Sequence, residues 1–136
     1  YYYEIQAKVE TIDQANNELQ SIIDKYEKVR GILNECKEIA ATAATKCTNA
    51  KQALDKSYSS DNSSSKISKI QADVTCKYQD ILYDKKQIGG AISDIEKRTK
   101  TLKNIKNKNN NYRNKFLQAL THVNNVKNNL DALALK

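Results

Sequence analysis

Apolar residues recur along this chain at helical intervals. Ile5, Ile12, Leu19, Tyr26, Leu33, Ala40, Cys47 and Leu54 stand seven apart. Three residues after each comes a second series: Lys8, Ala15, Ile22, Val29, Cys36, Ala43, Ala50 and Ser57, small or apolar except at its two ends. Alternating steps of three and four are the pattern of a helix that packs lengthwise on another helix. The pattern predicts a helix over 4–57, about 80 Å long between Ile5 and Ser57 at 1.5 Å per residue. On this reading Val9, Ile23 and Ala44 lie beside the seam, where a narrow hairpin leaves them exposed.

The periodicity stops in the segment from Ser57 to Ser65, where short hydroxyl and amide side chains compete for backbone groups and favour a turn over 58–65. Its predicted turn residues are Tyr58, Ser59, Ser60, Asp61 and Asn62, with Ser64 or Ser65 as N-cap of the next helix. A second seam then runs through Ile67, Val74, Ile81, Ile88, Ile95, Leu102, Asn109, Phe116, Val123 and Leu130. Its companion is Ile70, Lys77, Asp84, Ala91, Arg98, Ile105, Tyr112, Ala119, Val126 and Leu133, with Tyr78, Leu82 and Ile92 on the flank. Asn is a poor helix former, so any break falls in the Asn-rich segment 107–111: either one helix runs from Lys66 to Leu133, or a helix over 66–106 meets one over 112–134. Gly89-Gly90 is a further candidate for a kink. The fold expected is all-α: a single elongated domain over 1–136, either an antiparallel helical hairpin or a three-helix bundle with coiled-coil-like seams.

Composition narrows this further. The chain has 136 residues, no Pro and only three Gly, which removes the punctuation of turn-rich β folds. It also lacks Met, so a chain beginning at Tyr1 is expected to be a processed product or a piece of something longer. No apolar run approaches the roughly 18 to 20 residues that cross a bilayer, so no transmembrane segment is expected.

The formal net charge of +7 is uneven. Residues 1–65 carry eight basic and ten acidic side chains, and residues 66–136 carry fifteen basic and six acidic. An acidic arm therefore faces a basic one when the chain folds back. Lys97, Arg98, Lys100, Lys103, Lys106, Lys108, Arg113, Lys115 and Lys127 follow one another with no acid between Lys97 and Leu130. The first eight form a basic docking face for the acidic arm or an acidic partner. Nucleic acid or an anionic surface is the alternative ligand, disfavoured by the shortage of Arg and of interleaved aromatics.

Catalytic material is scarce. Cys36, Cys47 and Cys76 lack the spacing of a zinc site. Buried or free thiols are favoured over a disulfide between Cys47 and Cys76, which folding about the turn places opposite each other. His122 has no Cys, Asp or Glu among its helical neighbours, and the Ser cluster has no His–acid pair beside it. Asn62-Ser63-Ser64 matches the N-glycosylation acceptor pattern. No enzyme activity, metal or cofactor is expected.

Tyr58-Ser59-Ser60 at the turn, with Leu54 before it and Ile67 and Ile70 after, joins two long amphipathic arms. In this the chain resembles the small helical-hairpin proteins of bacterial type VII secretion, the WXG100 proteins and the helical partners encoded with LXG toxins. Those proteins turn on a Trp-x-Gly, which this chain lacks. The resemblance implies pairing with a second helical protein in an export-competent bundle.

The function expected from the residues is a non-catalytic interaction module that buries Ile12, Leu19, Ile22, Tyr26, Leu33, Ile81, Ile88 and Ile95 against a helical partner or another copy of itself. Self-assembly as a coiled-coil structural or surface protein is the alternative. A secreted or cell-surface setting is favoured over a cytoplasmic one.

Overall fold

A computed structural model describes residues 2–58 and 65–135. They form two long helices, α1 over Tyr2–Tyr58 and α2 over Ser65–Ala134, with no strand among the described residues. The predicted turn residues Ser59, Ser60, Asp61 and Asn62 lie outside the described residues, as do the rest of the acceptor triplet, Ser63 and Ser64, and the side chain of Tyr58.

The helices run for 57 and 70 residues, with terminal charges suited to the dipole on α1 alone. Glu4 sits in the first turn of α1 and Lys56 in its last, each opposite in sign to the helix dipole there. Interior threonines turn their hydroxyls onto the preceding turn. Thr11 Oγ1 donates to the carbonyl of Ala7 at 3.0 Å, Thr45 to Ala41 at 3.1 Å, and Thr101 to Lys97 at 3.1 Å. The hydroxyl that would compete for backbone elsewhere is thereby satisfied inside the helix.

Of the two alternatives at 107–111 the structure has the single helix, since α2 continues through the segment. The third helix of the three-helix alternative is therefore the last third of α2. Asn costs at most about 0.7 kcal/mol per residue relative to Ala in a helix interior. Side-chain bonds from Asn109 and Asn110 to α1 offset part of that cost.

The described residues pack as two compact units, one from residues 1–27 and 97–136, the other from 28–96. In the first unit the helices run antiparallel: Asp13 meets Arg113, Asn16 meets Asn110 and Gln20 meets Lys106. Its apolar core is Val9 and Ile23, the latter only 1% exposed. Full burial of a side chain of this size contributes about 1.5–3 kcal/mol. In the second unit Ala44 and Ile92 are buried, and Gln71 Nε2 donates to Asp55 Oδ1 at 2.9 Å.

This packing corrects the expected seam by one residue. The first series holds, since Ile12, Leu19, Tyr26, Leu33, Ile81, Ile88 and Ile95 are all half-buried. The companion series holds only at its small residues: Ala15, Ala43, Ala91 and Ala119 are half-buried, while Ile22, Val29, Cys36, Ile105 and Tyr112 are exposed. In its place the residues one position later turn inward, so Val9, Ile23, Ala44 and Ile92, expected to be uncovered, form the core. The expected companion is the more apolar of the two columns, but the observed rotation sets Asp13, Gln20 and Glu27 against Lys103, Lys106 and Arg113. Polar pairing across the helices, which a count of apolar positions does not register, accompanies this choice of face.

Candidate docking surface

The first unit carries a ladder of cross-helix polar contacts. Asn16, 8% exposed, stands seven residues from Val9 and from Ile23 and so occupies the core column. Its Nδ2 donates to Asn110 Oδ1 at 2.9 Å, and its Oδ1 accepts from Asn109 Nδ2 at 3.1 Å. Both ends of the buried amide are thus used, and among the described residues no buried side-chain polar atom lacks a hydrogen-bond partner. One turn to either side the contacts become charged. Lys106 Nζ donates to Gln20 Oε1 at 2.6 Å, and Arg113 Nε donates to Asp13 Oδ1 at 2.5 Å, with Nη2 reaching Oδ2 at 3.4 Å. Lys103 and Glu27 pair at 3.1 Å.

Hydrogen bonding to Asp13 holds the Arg113 guanidinium above its ordinary pKa; the carboxylate charge adds to this, and slight desolvation opposes it. Lys8 Nζ also lies 5.6 Å from the ring centroid of Phe116.

Asp13, Gln20 and Glu27 each follow a core-column residue by four positions, as do Lys103 and Asn110 on α2. The ladder therefore closes one flank of the pair. Residues one position before the core column lie on the opposite flank, which is largely apolar but also carries Lys8 and Arg98. Ile22 and Ile105 are each 41% exposed there, and Tyr112 is 58% exposed. Between the helices this flank opens into a groove of about 390 Å³, lined by Ile22, Tyr26, Lys97, Arg98, Thr101 and Leu102. Lys108 and Lys115 stand three residues beyond Ile105 and Tyr112, at helical spacing that places each beside its predecessor. Lys115 Nζ reaches 5.7 Å from the Tyr112 ring centroid.

Of the eight residues expected to bind a partner, seven are half-buried along the seam between the chain's own helices, and Ile22 is exposed. The basic docking face divides likewise. Lys103, Lys106 and Arg113 reach α1 and Lys115 lies over Tyr112, whereas Lys97, Arg98, Lys100 and Lys108 are exposed. The α1 side of the ladder, Asp13, Asn16, Gln20 and Glu27, does not stand out in the apolar pattern. Its signal is nevertheless present: Asn16 interrupts an apolar column at sevens, and Asp13, Gln20 and Glu27 stand seven apart like Lys106 and Arg113.

Cys36 and Cys76 are exposed and Cys47 is half-buried, all three as free thiols. The alternative bridge from Cys47 to Cys76 is not formed: Cys47 keeps to the seam, while Cys76 stands two residues beyond half-buried Val74 and faces outward. His122 is exposed. Among the described residues no three His, Cys, Asp or Glu side chains gather as a metal site would need. No helix of the described residues is long and apolar enough to cross a membrane. No protein family, curated protein or solved structure matches the chain.

Proposed function

We propose that the chain is a non-catalytic helical interaction module that docks a partner helix on the apolar flank of its first unit. The observation that carries this reading is the asymmetry of the two flanks. One is closed by cross-helix polar bonds, and the other exposes Ile22 at a groove, with Ile105 and Tyr112 exposed further along the same flank. Exposed apolar side chains of this size gathered at a concave surface favour a protein partner over solvent. The seam itself, with apolar residues at alternating steps of three and four, is read as coiled-coil-like packing used within the chain. The flank is left free to pair with another molecule.

Export together with a second helical protein, as the resemblance to type VII secretion proteins implies, is one setting for such a module. Self-assembly is the second reading. It is supported by Val126, Leu130 and Leu133, which remain exposed at helical spacing near the end of α2. Nucleic-acid binding through the basic segment has less support, because Lys103, Lys106 and Arg113 are turned to α1.

Sedimentation of the full chain over a concentration series, with Ile22→Asp and Ile105→Asp beside it, tests the reading. A monomer that captures a helical partner, and fails to do so in either variant, supports docking on the flank. A homo-oligomer untouched by these variants supports self-assembly elsewhere.

A further inference from the structure

The partner's charge can be read from the same flank, and this step rests on the docking reading. We infer that the groove takes an acidic amphipathic helix: an apolar stripe seated on Ile22, Leu102 and Ile105, with Asp or Glu along the edge that faces α2.

Charge complementarity carries the inference. On its α2 side the groove is lined by Lys97 and Arg98, and beyond it the same flank carries Lys108 three residues past Ile105 and Lys115 three past Tyr112. Lys97, Arg98 and Lys108 are exposed, and Lys115 stays near its own Tyr112 ring, so these charges border the flank while the ladder uses Lys103, Lys106 and Arg113. The α1 border is mixed, since Glu18 and Lys25 stand one turn to either side of Ile22. Acidic residues on the partner are therefore required on the α2 side only. The first unit as a whole holds twelve basic and seven acidic residues, a net of +5. A second copy bringing the same net charge is repelled, whereas an acidic helix is drawn in and oriented. Lys predominates over Arg in this border, which suits flexible pairing with carboxylates on a helix more than bidentate phosphate recognition.

The test uses the full chain and three synthetic helical peptides as probes, sharing one Leu stripe and differing only in flanking Glu, Gln or Lys. Binding is followed by fluorescence anisotropy at low and high salt. The Glu peptide is expected to bind about tenfold more tightly than the Gln peptide, the scale of two or three exposed ion pairs. That advantage shrinks with salt, and the Lys peptide binds worst. Ile22→Asp, at an exposed position and checked for helicity by circular dichroism, abolishes binding. A chain with Arg98→Glu and Lys108→Glu reverses the order of the peptides.

Equal affinity for the Glu and Gln peptides, lost in Ile22→Asp, overturns the inferred charge and leaves the docking reading standing. Binding that survives Ile22→Asp, or no binding by any peptide, overturns both. Self-association of the chain that excludes the Glu peptide assigns the groove to a second copy and overturns the acidic helix. So does RNA or DNA that displaces the peptide from the intact chain and fails to bind the charge-reversed one.

Discussion

Asn16 donates from Nδ2 to Asn110 Oδ1 at 2.9 Å, across the two helices and from inside the core column. With Val9 and Ile23 seven residues to either side, this position is one an apolar residue would ordinarily fill. An amide there weakens the core and defines it: a shifted alignment leaves a buried polar group facing apolar neighbours. Replacing Asn16 by Val is therefore expected to raise the denaturation midpoint slightly, added apolar burial on the order of 1 kcal/mol outweighing the two part-buried bonds lost to Asn109 and Asn110. The same change should multiply the amide peaks in a two-dimensional NMR spectrum as alternative alignments become populated. A variant that melts lower and keeps a single set of peaks would show that Asn16 contributes stability rather than register.

Ile22 and Ile23 are neighbours in sequence and opposites in environment. Ile23 is 1% exposed and Ile22 41%. Truncating Ile23 to Ala should cost about 2–5 kcal/mol, through lost transfer energy and the cavity left behind. Truncating Ile22 to Ala should stay near the roughly ±0.5 kcal/mol typical of surface changes while weakening partner binding. Urea titrations of both variants measure the difference. Equal losses would mean that the two residues share one interface.

How much of this is legible in the sequence depends on which signal each feature leaves. The helical class and the half-burial of Ile12, Leu19 and Ile95 follow from apolar spacing, and the lack of a membrane-spanning helix among the described residues follows from the want of a long apolar run. Which neighbouring column completes the seam does not. Steps of three and of four along a helix both stay on one face, and from Leu19 they reach Ile22 and Ile23, two equally apolar residues. Only the polar partners on the other helix distinguish them, and those lie far along the chain: Lys106 is 86 residues from Gln20. The Asn-rich segment leaves one helix or two open for a related reason. Propensity treats Asn109 and Asn110 as solvated side chains, whereas here each bonds to Asn16.

The glycines supply a prediction about helix strength. Gly31, Gly89 and Gly90 lie inside continuous helices, none has positive φ, and a Cβ at any of them meets nothing within 4 Å. Each Gly→Ala change should stabilise the chain by about 0.4–1 kcal/mol, mainly by restricting the unfolded state. Thermal melts of the three single variants check this. A fall in midpoint for Gly89→Ala or Gly90→Ala would reveal a close approach by another molecule.

Thiol accessibility follows from the positions of the cysteines. Cys36 and Cys76 are exposed and Cys47 is half-buried, all unpaired. A thiol reagent applied to the native chain should modify two cysteines quickly and the third more slowly. In denaturant all three should react alike. Fewer than three reactive thiols in the unfolded, unreduced chain would indicate a disulfide and a different pairing of the helices.

The contact between Arg113 and Asp13 makes a prediction about pH. The hydrogen bond and the carboxylate charge raise the guanidinium above its ordinary pKa. A raised basic group contributes its stability in full below the unfolded-state value and loses it only as pH climbs through the folded one. For arginine both values lie beyond the working range, so the guanidinium itself imposes no slope near neutrality. The stability difference between the native chain and Arg113→Gln should therefore stay level from about pH 6 to 9, where the side chain is always charged. It should be small, because both side chains remain substantially exposed, and it should shrink as salt is added. Urea midpoints for the two proteins at several pH values and two ionic strengths measure it. A difference that changes across this window would assign the effect to another titrating group, while one insensitive to salt would place it in packing of the Arg113 stem against α1.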